Sequence, residues 1–476
     1  MRKYFAVLLA VLLILSFAVT AFAEDKTDIT IGGKILIRGW YFDNVGTIGN
    51  DLNDDNPFKV PTKTNSQAFY STNVNLTVDA KVSDNVRGMV EIETGTNANS
   101  GLYYWGTYDT KATSSSLFLR QAWLQYTGGG LGLPAGLKIG HMPISIGEKQ
   151  FLNNERFGDD AILVWIDPTK EFHIAAGTVK LNEGDTHLGS IKSWDDLNGY
   201  VLLATYAINK DNTIGANWVW AHSDGNCPSL GSDNNIDSLN FNNVGVHANG
   251  KIAGLSYSAE GDWQFGKLKG INLESGNDLK AKGWAVMGKV GYQLDPVNLR
   301  ASFAMGSGDD NDNDQDCKEF QTLQGPDYGA TARLVHYTQI YERTVSTAAS
   351  SAKLTTTVGG NNTNTGLANT TYYNLGVDVN PMKELSISLD GFLLRATKTG
   401  AWEDRLGTSV SKKIGWEVDS KISYKLAKNL TYFVEAGYFK AGDFYDDVYA
   451  DLTTVDDKTF DKKNVLQAVH GLSLSF

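Results

Sequence analysis

The 476-residue sequence contains only two cysteines, nine prolines and seven histidines. Two cysteines are too few for a disulfide-stapled scaffold or for a cysteine-rich zinc or iron–sulfur protein. The histidines form no H-E-x-x-H motif and no pair four residues apart, and no C-x-x-C-H motif occurs, so no resident metal or haem is indicated. The net charge of −12, without a basic stretch, also disfavours nucleic acid as a partner.

Long apolar runs are missing as well, except at the amino terminus. Arg2 and Lys3 precede an apolar run and the small-residue site that ends at Ala23, which is typical of a cleaved signal peptide over residues 1–23. Beyond it, the longest apolar run, Ala161–Ile166, is far shorter than the roughly 18 residues of a spanning helix. We therefore expect an exported mature chain, residues 24–476, that is either soluble or spans a membrane with strands.

What the sequence does have is glycine, aromatic residues and period-two alternation. It contains 49 Gly, 21 Tyr, 20 Phe and 11 Trp, a composition that favours β-structure. From Leu255 to Phe265, apolar residues alternate with Ser, Glu, Asp and Gln, and similar segments of about ten residues recur along the chain. Such a pattern predicts strands with one apolar face and one polar face.

The connections between these segments alternate in length. Short ones such as Asp295-Pro296 alternate with long ones, of which 307–370 is the longest. Short turns at one rim, long loops at the other and an even number of strands are typical of outer-membrane barrels. The sequence therefore predicts an all-β, transmembrane, antiparallel β-barrel of about 18 strands (16–18), with short periplasmic turns and long extracellular loops.

Four segments carry a family resemblance. The final strand, which ends at Phe476, resembles the carboxy-terminal assembly signal of outer-membrane porins, which implies recognition by the barrel-assembly machinery. The paired segments Leu117–Trp123 and Leu137–Gly147 resemble strands of the alginate-export and related general porin families. Ala304–Asn311 is similar to their strand end running into an acidic loop. The resemblance implies a porin-like barrel in the bacterial outer membrane.

If the apolar faces meet lipid, the charged residues of the opposite faces become pore-lining candidates. They are Lys34, Arg38, Arg87, Glu91, Glu93, Arg120, Glu260, Asp262, Lys289, Arg300, Asp378, Asp390, Glu417, Asp419, Lys421 and Glu435. Acids slightly outnumber bases, and bases concentrate on the first strands while acids concentrate on late ones. Two interpretations remain open: opposed charged walls that orient solutes, or charges that pair locally and keep the lumen wet.

The long loop 307–370 is the candidate constriction or plug, because a connection of such length is usually functional or disordered. Its middle carries the constriction candidates Arg333, His336, Tyr337, Tyr341 and Arg343. Five aspartates between Asp309 and Asp316 suit either a solvated acidic loop or, less well, calcium, since the EF-hand glycine and glutamate are missing. Cys227 and Cys317 fall in long loops of one rim, where a disulfide between them is an open alternative.

Enzymatic activity is not expected. Trp220–Asp224 contains His, Ser and Asp, but adjacent residues of a strand point to opposite faces and do not converge as a triad does. We expect an outer-membrane porin for passive diffusion of ions and small hydrophilic solutes, with mild cation preference and neither cofactor nor catalytic residues. The alternatives are an exporter of an acidic polysaccharide and a structural sleeve for a partner protein. Outer-membrane lipid surrounds such a barrel, and a homotrimer is a further expectation.

Overall fold

The structure is a computed structural model. It describes residues 27–44, 66–95, 103–105, 116–130, 132–182, 196–224, 238–269, 278–323, 337–342, 366–449 and 464–476. The predicted signal peptide, residues 1–23, lies outside these ranges and stays a prediction.

Eighteen long strands make up the described fold. They are β1 Asp28–Asp43, β2 Gln67–Lys81, β3 Val86–Gly95, β4 Ser116–Gly130, β5 Leu133–Ser145, β6 Asn153–Ile166, β7 Phe172–Asn182, β8 Leu197–Asn209, β9 Asn212–Ser223, β10 Ser238–Ile252, β11 Leu255–Lys269, β12 Trp284–Leu294, β13 Val297–Gly306, β14 Thr370–Met382, β15 Leu385–Ala396, β16 Lys413–Ala427, β17 Leu430–Ala441 and β18 Val465–Ser475. Two short helices, α1 Gly400–Leu406 and α2 Asp443–Tyr449, lie in connections. Among the described residues, no helix has the length and apolar character needed to cross a membrane.

The strands form a closed antiparallel barrel. Each strand pairs with its neighbours in sequence, and β1 pairs with β18 from Lys34 opposite Ser475 to Asp43 opposite Leu466. Closure leaves no unpaired sheet edge, which is the condition for strands to cross hydrocarbon. The predicted fold class and strand number are confirmed. The alternation of the sequence predicts one continuous strand over Leu279–Leu294, but Leu279–Ala281 pairs with the end of β11 as a short strand separate from β12.

Connections at one end are tight and those at the other end are long. The tight turn between β10 and β11 uses Ala253 and Gly254, both with positive φ (50° and 84°), as a two-residue hairpin requires. The longest described gap between strands separates β13 from β14. In outer-membrane barrels the short turns face the periplasm. β1 therefore runs from the periplasmic end to the extracellular end.

Alternation places apolar side chains outside the barrel. On β11, Trp263 and Phe265 are each 51% exposed, whereas Glu260 and Asp262 are 5% and 1% exposed. The outward side chains form the surface that lipid covers, so their exposure stabilises the barrel in a membrane. The sequence pattern predicted this arrangement.

The interior is not uniformly open. A continuous core of buried apolar side chains fills the extracellular half along β5 to β18. Inward residues such as Met142, Phe241 and Met287 pack there against Phe151, between β5 and β6, and Phe320, between β13 and β14. Both helices add to this core, through Trp402 of α1 and Phe444 of α2.

Candidate functional site: a charged cavity beside two inward segments

A cavity of about 860 Å³ lies inside the barrel, along β15 to β18 and β1 to β4; we call it the main cavity. Its lining includes Leu36 of β1, Ser388 of β15 and Ser473 of β18. Eight of the sixteen predicted pore-lining residues lie here: Lys34, Arg38, Glu91, Arg120, Asp390, Asp419, Lys421 and Glu435. Four further lining residues, which the sequence interpretation missed, are Glu155, Arg156, Gln121 and Gln339.

A β-bulge on β4 brings two polar residues to the cavity at once. Glu91 of β3 is opposite Gln121, and the next residue, Ile92, is opposite Leu119, so Arg120 is the extra residue. A bulge re-aims side chains that alternation would send to opposite faces. Arg120 and Gln121 therefore both face inward, where Gln121 donates a hydrogen bond to Glu91 at 2.7 Å.

Glu93, one of the predicted lining residues, is buried beneath two arginines. Its carboxylate, which is 0% exposed, accepts hydrogen bonds from Arg156 Nη1 at 2.7 Å and Arg156 Nη2 at 3.0 Å. Arg120 Nε and Asn73 Nδ2 donate to the same carboxylate. The two arginines line the cavity, but a single buried acid offsets part of their charge.

The first inward segment is residues 146–156, the connection from β5 and the start of β6. Phe151 and Leu152 are buried in the apolar core, and Gly147 has φ 59°. The backbone N–H of Glu148 donates to Glu260 of β11 at 2.6 Å. A side chain at Gly147 would clash with that same carboxylate. Glu260 therefore holds this segment rather than lining the main cavity.

The second inward segment is residues 337–342, part of the long loop 307–370. Tyr337 lines the main cavity, and its ring stacks on Tyr372 with centroids 4.3 Å apart. Tyr341 is fully buried, and its hydroxyl lies 2.7 Å from Thr370 Oγ1. Burial raises the pKa of Tyr337 well above its usual range, which keeps the phenol neutral. Arg333, His336 and Arg343 lie outside the described residues, so their role stays a prediction.

The second segment is held by β16. Backbone N–H groups of Ile340 and Tyr341 donate to Glu417 at 2.7 and 2.9 Å, and that of Gln339 donates to Asp419 at 3.0 Å. Glu417 is 0% exposed and is absent from the cavity lining, while Asp419 is nearly buried at its edge. Two acids of the predicted lining are thus engaged by the loop backbone.

Five of the predicted charges pair locally. Arg300 Nε donates to Asp378 at 2.8 Å and Arg300 Nη1 donates to Asp390 at 2.9 Å, and Lys421 lies 2.6 Å from Glu435. Arg300 and Lys289 line a smaller cavity of about 370 Å³ that also contacts Tyr337.

Two other predicted charges lie away from both cavities. Arg87 pairs with Asp79 near the periplasmic end, with Arg87 Nε 2.8 Å from Asp79 Oδ1. Asp262 is buried against Asn243.

The acidic loop after β13, which contains Asp309 to Asp316, forms ion pairs with basic residues. Lys318 lies 2.6 Å from Asp310, a hydrogen bond that lowers the pKa of Asp310 and raises that of Lys318. Arg405 of α1 lies 3.1 Å from Asp312. Across the described part of the chain, no group of three or more His, Cys, Asp or Glu is placed to hold a metal ion. Cys317 is buried and Cys227 lies outside the described residues, so their disulfide stays a prediction.

Solved structures of similar fold are outer-membrane proteins of Pseudomonas aeruginosa. OccK8 (OprE) is 12% identical over 94% of this chain and 98% of that chain, with a TM-score of 0.51. OpdQ is 12% identical over 94% and 97%, also with a TM-score of 0.51. OpdK, solved with vanillate, is 10% identical over 94% and 98%, with a TM-score of 0.50. These likenesses show the fold.

Sequence comparison identifies the family. No curated protein matches the chain. A family model described as alginate export matches residues 52–451, which is most of the chain. The chain is a porin-type outer-membrane β-barrel, and it belongs to the alginate export family.

Proposed function

We propose that this barrel is a passive channel for ions and small hydrophilic solutes, with mild cation preference. The observation that carries the proposal is the polar main cavity, which strands on both sides of the barrel closure line with charged and hydroxyl side chains. Polar linings of this kind sustain water-filled channels in large barrels. A packed interior with charges only at its rims would not support passage.

The charge balance around the main cavity supports weak rather than strong selectivity. Five basic residues line it, Lys34, Arg38, Arg120, Arg156 and Lys421, against the five acids Glu91, Glu155, Asp390, Asp419 and Glu435. Their direct partners add the bases Arg300 and Lys149 and the acid Glu93, and Asp378 pairs in turn with Arg300. The charges around the cavity are thus balanced, and the net charge of −12 over the whole sequence favours cations only mildly. A ring of one sign, as strong selectivity requires, is missing from the described lining.

The second candidate function is export of an acidic polysaccharide. The family description favours it, and so do Lys34, Arg38, Arg120 and Arg156, which give the main cavity a basic side. The balanced acids of β15 to β17 oppose it. The sleeve for a partner protein is less favoured, because residues 337–342 occupy interior space that a partner would need.

The final strand, β18, is the basis for a proposal about how the barrel is assembled into the membrane. Phe476 exchanges backbone hydrogen bonds with Gly33 of β1 at 3.0 and 3.1 Å, so the last residue extends the closing pair of strands. We propose that this strand is the segment that the barrel-assembly machinery reads. A homotrimer remains the proposed oligomeric state.

Single-channel recording tests the proposed function. The refolded mature chain is inserted into a planar bilayer, and conductance and the reversal potential under a KCl gradient are measured. Stable open steps with a small cation-selective reversal potential are expected. A clear anion preference would favour the polysaccharide exporter, and a folded barrel without conductance would overturn the channel proposal.

A further inference from the structure

Four acidic residues of the barrel wall share a property that the other lining candidates lack. Glu93, Glu260, Glu417 and Asp419 are all nearly buried, and each accepts hydrogen bonds from one of the two inward segments. The charges of these residues are therefore directed at protein donors. Glu435, by contrast, lines the main cavity and pairs with Lys421 of the adjacent strand.

Residues 146–156 are held at two separated points. Arg156 binds Glu93 of β3 through two nitrogens, and Glu148 binds Glu260 of β11 through its backbone N–H. β3 and β11 are eight positions apart in the ring of eighteen strands, nearly opposite each other. The segment therefore runs across the lumen between two wall carboxylates, and Glu155 and Arg156 form one border of the main cavity.

Residues 337–342 are held at one wall by three successive backbone donors. The N–H groups of 339, 340 and 341 all point at carboxylate oxygens of Glu417 and Asp419. The side chain of Gln339 adds a hydrogen bond to the carbonyl oxygen of Ser420 at 3.3 Å. Gln339 and Tyr337 form the facing border of the main cavity.

Each attachment pairs N–H donors of an inward segment with carboxyl oxygens of the wall. A carboxylate accepts two N–H bonds with charge assistance, whereas a neutral amide of the same shape offers one oxygen and places an N–H₂ group against the other donor. A buried donor left without an acceptor is costly, so the segment would leave the wall rather than remain there unpaired. The position of each border thus depends on acids that are nearly buried in the wall.

We infer that Glu93, Glu260, Glu417 and Asp419 are positioning residues that set the width of the passage, and that they are not its ion-selecting charges. This inference rests on the proposed channel function. It assigns the selectivity to lining residues outside these attachments, such as Glu435 and Lys34. Size exclusion and ion preference are consequently controlled by different acids of the same barrel.

The test compares the double variant Glu417→Gln with Asp419→Asn against Glu435→Gln. Each is refolded, and its fold is checked by the heat-dependent shift of the barrel in gel electrophoresis. Single-channel conductance, reversal potential and exclusion of graded polyethylene glycols are then recorded. We expect the double variant to show higher, noisier conductance and to admit larger polymers, whereas Glu435→Gln shifts the reversal potential and keeps the polymer cut-off.

Glu260→Gln provides an independent second variant, because it acts on the other segment and strand. It is expected to raise the polymer cut-off as well. If the wild type conducts and both Glu260→Gln and the double variant keep its conductance and cut-off, shifting only the reversal potential, the positioning role is wrong.

Hydrogen exchange does not depend on ionic conductance, so it tests the anchoring of residues 337–342 independently of the channel proposal. Hydrogen exchange read by mass spectrometry should accelerate at amides 339–341 in the double variant and stay unchanged there in Glu435→Gln. If the wild type does not conduct but this exchange pattern is found, the channel function fails while the anchoring stands. Unchanged exchange in the double variant would overturn the anchoring itself.

Discussion

Two regions of the barrel interior differ although the strands around them are alike. Toward the extracellular ends of β5 to β18, many inward side chains are apolar and buried, as Met142, Phe241 and Phe439 illustrate. Farther toward the periplasm on β15 to β18, and along β1 to β4, many inward positions are charged, amide or hydroxyl and border the main cavity. A closed barrel of this size has room for a channel. The inward side chains and the connections decide how much of that room stays open.

The connections follow the same division. Residues 146–152 and 337–342 and both helices contribute apolar side chains to the packed side. The polar borders of these segments, Glu155, Arg156 and Gln339, face the open side. A passage that is displaced toward β1 therefore follows from where the inward segments are anchored.

The largest expected effect is that of Glu93→Ala. Removing this carboxylate leaves Arg120 and Arg156 close together without their common partner, and loss of one member of a buried ion pair costs about 3–5 kcal/mol. The free energy of unfolding, measured by urea titration in detergent, should fall by that order. Glu91→Ala is the control, since Glu91 borders the cavity and accepts only from amide side chains. Equal losses for both would contradict the account of the Glu93 cluster.

The next largest effect is expected from truncating a buried apolar side chain, which should lower the free energy of unfolding more in the packed region than beside the main cavity. Met142→Ala empties a fully buried site, and such a change typically costs about 2–5 kcal/mol. Leu36→Ala removes a similar volume beside the main cavity, where water can enter the space, so its unfolding free energy should fall less. The same urea titration compares them. A larger loss for Leu36→Ala would indicate that the β1 side is the packed one.

The strands could be predicted from the sequence because lipid imposes a periodic rule. Trp263 and Phe265 must face outward while Glu260 and Asp262 face inward, and that alternation is visible in any single strand. The state of the interior follows no such rule. The sequence pattern is the same for an inward carboxylate that borders the main cavity, as Glu435 does, and for one that accepts from a loop backbone, as Glu417 does.

The sequence does not reveal residues 146–156 as an inward segment for a similar reason. Their connection is short, whereas the length of the loop 307–370 marks that loop as the candidate constriction. The signals that could have revealed them are Phe151 and Leu152, apolar residues in a connection, next to Gly147. β12 offered another signal, since Ala285 and Met287 make its inward face apolar where a wet lumen would require polar residues.

A smaller effect is expected for single charges at the cavity. Lys34→Gln removes a positive charge from the lining of the main cavity, so the reversal potential under a KCl gradient should become more cation-selective. Lys289→Gln removes the same charge from the smaller cavity on the other side, and its shift should be weaker. Equal shifts would mean that ions also pass along β12.

The smallest effect is expected at the acidic loop. The pKa of Asp310 is lowered, so its contribution to loop stability is present above its ordinary pKa of about 4 and is lost as pH falls through the lowered value. The raised pKa of Lys318 keeps the partner charged throughout neutral pH. The rate of proteolytic cleavage near Lys318 should therefore stay constant across the neutral range of roughly pH 6 to 8. Lys318→Met should increase cleavage in that range without changing the melting of the barrel.

The displaced passage is tested most directly by thiol accessibility during single-channel recording. Ser473→Cys and Thr431→Cys place thiols on the lining of the main cavity, and Ala221→Cys and Ala285→Cys place them on the packed side. A charged thiol reagent is added to each open channel, and the wild type, which retains Cys227 and Cys317, gives the background. The account predicts a stepwise loss of current for the first two variants and none beyond background for the other two. Blockage through Ala221→Cys or Ala285→Cys, with Ser473→Cys and Thr431→Cys unaffected, would contradict it.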